Sequence, residues 1–288
     1  MSTSLAGTAE PPPPALEEVT GPSALGGGRR RFLDLLWLIA VTEFKRTYFG
    51  TVLGYLWSLI RPLMLFGVLL FVFTQVLRIG SETPNYPVLL LLGIVLFSFF
   101  QEATQNSVTS VVGQEGVVRK TQFPRLVIPL ATVLTAAFNL CLNLLVVFIF
   151  ILAWGVDPTW TWLLFPVALG AIIVLTAAVS TMLSVLYVRF RDIAIIWTVV
   201  SQVLFYATPV LYPITAVPDA YQHILMINPL APIFNEVQVW VINPDAPTAA
   251  AVAGGKLALV PAAVLFIGIC VFSAWIFERD APRVAERL

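Results

Sequence analysis

Glu102 stands four residues after Ser98 and four before Asn106, in a stretch otherwise dominated by Leu, Val, Ile and Phe. On a helix this spacing places the three on one face, with Gln101, Gln105 and Thr109 alongside, so that about three turns are polar. A polar face in such an apolar background must look at protein or water rather than lipid. Arg61 is the matching oddity in the preceding apolar run. A charge at mid-bilayer costs about 2.5–3.5 kcal/mol on insertion scales, so each of these groups needs a partner or a water-filled cavity. Two chemistries stay open. Arg61 and Glu102, at similar depth on runs of opposite direction, form an intramembrane ion pair, or Arg61 stands on a pore wall and attracts an anionic substrate. A proton relay would need several acids, and Glu102 is the one clearly embedded; ion-coupled transport is disfavoured. Asn139 and Asn143, also a turn apart, suit hydrogen bonds between helices.

Little else in the chain could do chemistry. His223 is the single histidine, and Cys141 and Cys270 fall inside apolar runs, where they read as small buried hydrophobes. No metal site, disulfide or catalytic dyad is expected, and no cofactor. The phosphate-binding pattern G-x-x-x-x-G-K-[ST] is absent, so any ATP-driven work must draw on a separate chain. The expectation is a transport subunit, not an enzyme.

The elements that must carry these residues are membrane spans. The 288 residues are 59% hydrophobic and 11% charged, with a formal net charge of zero; soluble domains are about 45–50% apolar and about 25% charged. A bilayer core needs about 20 apolar residues as a helix. Six runs qualify, at roughly 54–77, 87–109, 126–153, 160–188, 193–211 and 257–277. They are continuous rather than alternating, and helix satisfies every backbone amide internally, so the fold class is an all-α integral membrane protein with six spans. Of the 16 Lys and Arg, 13 fall on one side: Arg29, Arg30, Arg31, Lys45, Arg46, Arg119, Lys120, Arg125, Arg189, Arg191, Arg279, Arg283 and Arg287. That bias predicts cytoplasmic termini.

The remaining segments do not cross. Residues 1–31 are rich in Pro, Gly and Ala, lack an apolar signal core and read as a disordered cytoplasmic tail. Residues 32–49 are an apolar stretch too short to cross, ending in cations and aromatics: an amphipathic helix lying in the interface. Residues 50–278 are expected to form the six-helix transmembrane domain, and 279–288 a cytoplasmic tail. The stretch 212–256 is too apolar for a solvated loop and too rich in proline for a span. Short re-entrant or interface helices are expected there, on the external side.

Four segments carry a family resemblance. GQEGVVRKTQFPRLVIPLATVL (113–134), GTVLGYLWSLIRPLM (50–64), LYVRFRDIAIIW (186–197) and FYATPVLYPITAVPDAYQHILMINPLAPIFNEVQ (205–238) occur in order. Together they resemble the membrane (permease) subunits of type-2 ABC exporters of the polysaccharide, O-antigen, teichoic-acid and galactan export family, over about residues 32–278.

The resemblance implies a homodimer working with two copies of an ATP-binding subunit, which holds the ATP and Mg. The cargo would be a lipid-linked (polyprenyl-diphosphate) glycan crossing the bacterial cytoplasmic membrane. Membrane lipids are the other expected contact, and nucleic acid is not. A short helix after the second span would dock on the ATPase through Gln114, Glu115, Val118, Arg119 and Lys120. Tyr55, Trp57, Arg61, Phe205 and Tyr206 are the channel candidates. Arg29, Arg30, Arg31, Lys45 and Arg46 would attract the diphosphate where the cargo enters; orientation and anionic-lipid contact also account for these cations. An exporter of a drug or small lipid in the same type-2 class is the alternative.

Overall fold

The computed structural model describes residues 28–48, 54–78, 83–114 and 124–287. The described residues form helices and turns, and no strand occurs among them. α1 (Gly28–Tyr48) is followed by α2 (Gly54–Phe71), which runs on into a π-helical turn at Val72–Val76. α3 (Tyr86–Gly113), α4 (Val127–Ala153) and α5 (Phe165–Arg189) are long, and a 3₁₀ turn at Trp160–Leu164 leads into α5. α6 (Ile193–Ala207) is shorter. Three small helices follow, α7 (Asp219–Leu225), α8 (Leu230–Val241) and α9 (Ala249–Val252), before α10 (Val260–Arg287) closes the chain.

Five of the described helical segments are long and apolar enough to cross a membrane, and a sixth crossing is possible by length if the bent pair α7–α8 counts as one. α3 is the axis of the bundle. Its most apolar stretch is 78% buried, against 6% for the α2 segment and 11% for the last. α4 and α5 pack along α3, with Leu90, Leu91, Ile94 and Phe97 of α3, Leu140 and Val147 of α4 and Ile172 and Leu175 of α5 in one apolar core. α10 lies against α5, where Ser273 Oγ donates to the Ala178 carbonyl at 2.6 Å. α2 and α10 therefore stand at the periphery, with apolar residues such as Phe71, Val264, Ile267 and Val271 exposed. Such residues suit lipid or a second polypeptide, since an apolar surface gains nothing from water.

Three element boundaries depart from expectation. The fifth apolar run ends its helix at Ala207 instead of 211, because Thr208 precedes Pro209 and takes the extended conformation (φ −108°, ψ 142°). A residue before proline clashes with proline Cδ in the α region. The 15-residue helix spans about 22 Å at 1.5 Å per residue, less than the roughly 30 Å hydrocarbon core. At the other end of the chain, residues 279–287 continue α10 rather than forming a separate tail. α1 likewise begins at Gly28, so Arg29, Arg30 and Arg31 belong to its first turn and not to a tail. The remainder of that tail, residues 1–27, lies outside the described residues. The short helices expected in 212–256 are present as α7, α8 and α9, with α7 and α8 bent by 110°.

The break after α6 is held by side chains that take up its loose carbonyls. Tyr86 Oη donates to Leu211 O at 2.7 Å and Gln238 Nε2 to Pro209 O at 2.8 Å, while Asn228 Nδ2 reaches the Ala207 carbonyl at 3.4 Å and the Thr208 hydroxyl at 2.9 Å. Gly93 lets α3 approach this break: a Cβ there would sit 2.8 Å from the Val210 carbonyl oxygen. Backbone cannot yield as a flexible side chain can, so Gly93→Ala is expected to cost about 1–3 kcal/mol by overpacking. Gly67→Ala, with nothing within 4 Å of the added methyl, is the control. Thermal unfolding in detergent should show a several-degree loss for the first only; equal midpoints would mean that the approach is not tight.

Candidate functional site: an amide-lined cavity within the bundle

The polar face of α3 opens on a cavity of about 830 Å³ between α2, α3 and α4. Ser98, Gln101, Glu102, Gln105 and Asn106 line it from α3, Trp57, Ser58 and Arg61 from α2, and Asn139 and Asn143 from α4. Helical geometry explains the assembly: the α3 residues recur at three- and four-residue spacing, and Asn139 and Asn143 stand a turn apart.

A directed hydrogen-bond chain runs through one wall. Asn143 Nδ2 donates to Asn139 Oδ1 at 2.9 Å, and also reaches the Asn139 carbonyl at 2.9 Å. Asn139 Nδ2 in turn donates to Glu102 Oε2 at 3.0 Å. Both asparagines are buried. With its Oδ1 engaged by Asn143, Asn139 must present its amide nitrogen to Glu102.

A second set of polar contacts fixes the other flank of α3 to α6. Trp197 Nε1 donates to Thr104 Oγ1 at 3.0 Å and Gln105 Nε2 to Ser201 Oγ at 3.3 Å. Gln105 thus belongs both to the cavity wall and to the α3–α6 seam. These α6 partners were not singled out from the sequence; Trp197 and Ser201, one turn apart on an apolar helix, carried the signal.

The sequence-derived candidates divide as follows. Trp57, Arg61 and Glu102 meet in the cavity. Arg61 and Glu102 share it without an ion pair between them among the described residues, and Asn139 is a partner that Glu102 does take. Tyr55 lies in the first turn of α2, and its side chain is outside the described residues. Phe205 does not line this cavity: its half-buried ring packs on Phe97 at 5.1 Å between centroids, against the core. Tyr206 also lies away from it, exposed, with its carbonyl accepting from Tyr212 Oη at 2.8 Å.

The other candidates sit at helix ends. Gln114 caps the C-terminus of α3, while Glu115, Val118, Arg119 and Lys120 lie outside the described residues. Arg30 and Arg31 are exposed in the first turn of α1; Arg29 shares that turn, with its side chain outside the described residues. Lys45 and Arg46 occupy the last turn, where cations complement the helix dipole, and Arg46 lies 3.7 Å from Glu43. α1 seats on α4 through Trp37 and Phe44, both edge-on to Phe138 at 5.3 and 5.8 Å, and through the Ala40 carbonyl, which accepts from Thr135 at 3.2 Å.

A second cavity, of about 270 Å³, lies between the start of α3 and α8. Its amides are engaged in structural bonds: Asn235 donates to Pro247 O and Gln238 to Pro209 O. Among the described residues no cluster of His, Cys, Asp and Glu could hold a metal ion.

Membrane-length helices packed around a cavity with a polar wall are an arrangement suited to a transport subunit. The chain belongs to the ABC-2 type transporter family, whose model matches residues 34–240. It is a multi-pass permease of the cytoplasmic (inner) membrane. Among curated proteins it is similar to the O-antigen export system permease protein RfbA of Klebsiella pneumoniae, 34% identical over 69% of this chain and 76% of that protein. The RfbA protein of Myxococcus xanthus is 29% identical over 81% of this chain and 91% of its own length. The polysialic acid transport protein KpsM of Escherichia coli is 23% identical over 79% and 88%.

Proposed function

We propose that this chain is the transmembrane subunit of an ATP-driven exporter that carries a lipid-linked (polyprenyl-diphosphate) polysaccharide, such as O-antigen, teichoic acid or galactan, across the bacterial cytoplasmic membrane. The observation that carries the reading is the similarity to an O-antigen export permease over three quarters of that protein's length. The cavity supports it on chemical grounds. Beside an apolar wall that includes Leu65, Phe99 and Leu140, it presents Gln101, Gln105, Asn106, Asn139 and Asn143, whose amides both donate to and accept from hydroxyls.

In this reading two copies of the chain work with two copies of a separate ATP-binding subunit, and ATP and Mg act there. Both termini face the cytoplasm. The segment Gln114–Lys120 transmits the ATPase stroke, and α7, α8 and α9 form the external gate. α1 lies along the cytoplasmic interface, where Arg29, Arg30, Arg31, Lys45 and Arg46 attract the diphosphate of the arriving cargo.

Purifying the chain with its ATP-binding subunit and reconstituting both in proteoliposomes tests the reading. ATP hydrolysis should rise on adding a polyprenyl-diphosphate-linked oligosaccharide and stay flat with an apolar drug. The reverse response would move the chain to the drug- or small-lipid-exporting branch of the class.

A further inference from the structure

Arg61 presents a problem that the fold does not solve internally. Its guanidinium stays charged at any physiological pH, and it stands in the eighth position of α2, within a membrane-length segment. It is exposed and turned to the cavity, and no ion pair or hydrogen bond neutralises it among the described residues. The facing carboxylate, Glu102, is oriented by the Asn143–Asn139 chain on the opposite wall.

We propose that Arg61 is a specificity-determining receptor for an oxyanion carried by a hydroxyl-rich cargo, a phosphate or a carboxylate, while the Asn143–Asn139–Glu102 wall receives the neighbouring hydroxyls. This rests on the export reading and sharpens it by naming the residue within the bundle that reads an anionic group on the cargo. The guanidinium fork matches either oxyanion with two parallel N–H···O bonds. An ionised carboxylate accepts several hydrogen bonds at once, and sugar hydroxyls can supply them. The cavity volume of about 830 Å³ falls in the range of about 300–1,000 Å³ usual for small-molecule sites. Arg61 is the one cation among the described residues of the cavity lining, so discrimination between charged and neutral cargo is local to it.

The test uses the full-length chain in lipid nanodiscs, titrated with glucose 1-phosphate, glucuronate and methyl glucoside and followed by ligand-observed NMR. The wild type should bind at least one anionic probe about tenfold more tightly than methyl glucoside, as expected for a charge-assisted hydrogen-bonded contact. Arg61→Gln should bring that probe down to the methyl glucoside level and leave methyl glucoside unchanged. Arg61→Lys, which keeps the charge without the fork, should retain part of the preference. Glu102→Gln should weaken all three probes alike. Preference for glucose 1-phosphate alone assigns a phosphate; preference for glucuronate alone assigns an acidic sugar. A wild type without anionic preference, or an Arg61→Gln variant that keeps it, overturns the proposal. The export reading is judged separately: a chain that sustains surface polysaccharide yet shows no anionic preference sinks this inference alone. A chain that shows the preference but is dispensable for export sinks the export reading instead.

Discussion

In the double variant Glu115→Lys, Arg119→Glu, polysaccharide export should fall by roughly tenfold or more, since losing hydrogen-bonded charge contacts at an interface costs about 2–5 kcal/mol. The chain should still insert and purify normally, and the ATP-binding subunit should lose its stimulation by this chain. The reason lies in α3, which ends at Gly113 with Gln114 as its cap, directly before these residues. α3 is the most buried of the membrane-length helices and carries Gln101, Glu102, Gln105 and Asn106 of the cavity wall. A force applied at its end acts on a helix packed along α4, α5 and α6, and closely packed interiors transmit strain rather than absorb it. Glu102 stands about 16 Å from that end, at 1.5 Å per residue. Gln105, bonded to Ser201, would pass the movement to α6. Unchanged ATPase stimulation in the double variant would remove this segment from the coupling path.

The second large effect concerns the two intramembrane charges. If Arg61 and Glu102 served mainly each other, exchanging them as Arg61→Glu with Glu102→Arg would restore much of what either alanine variant loses. The hydrogen-bond chain leads to the opposite expectation. An arginine at 102 would set a guanidinium, which only donates, against the Asn139 Nδ2 donor. Asn139 cannot turn its oxygen outward without giving up the bond from Asn143. A buried donor left unpaired costs about 1–3 kcal/mol, and the oxyanion receptor would move to the wrong wall. Export should therefore stay as low in the exchanged variant as in Arg61→Ala. Recovery to near wild-type export, read as surface polysaccharide per cell, would show that the two side chains act as a pair.

How far the sequence revealed all this depends on which interactions are local. Apolar length is a local property, so the long helices were legible, as was the proline-punctuated stretch that became α7, α8 and α9. The early end of α6 was missed because Thr208 and Pro209 stand in a run whose hydropathy continues to Leu211. There the backbone restriction before proline outweighs composition. The polar face of α3 was legible for the same reason as the spans: Ser98, Glu102 and Asn106 share a helical period against an apolar background. What hydropathy cannot supply is register between helices. Asn139 could be read as a hydrogen-bonding residue, but not as the partner of Glu102. Phe205 was a channel candidate on residue type, and its half-buried ring packs against the core beside Phe97. An aromatic side chain suits both settings, and the rotation of α6, fixed by Trp197 and Ser201 on α3, decides between them.

Deleting the gene in its own bacterium and measuring surface polysaccharide alongside lipid-linked glycan inside the cell tests the central claim most directly. The account predicts loss of one surface glycan, accumulation of its lipid-linked form at the cytoplasmic face, and recovery of both on expressing the wild-type chain. Unaltered surface glycan with no intracellular accumulation would contradict it.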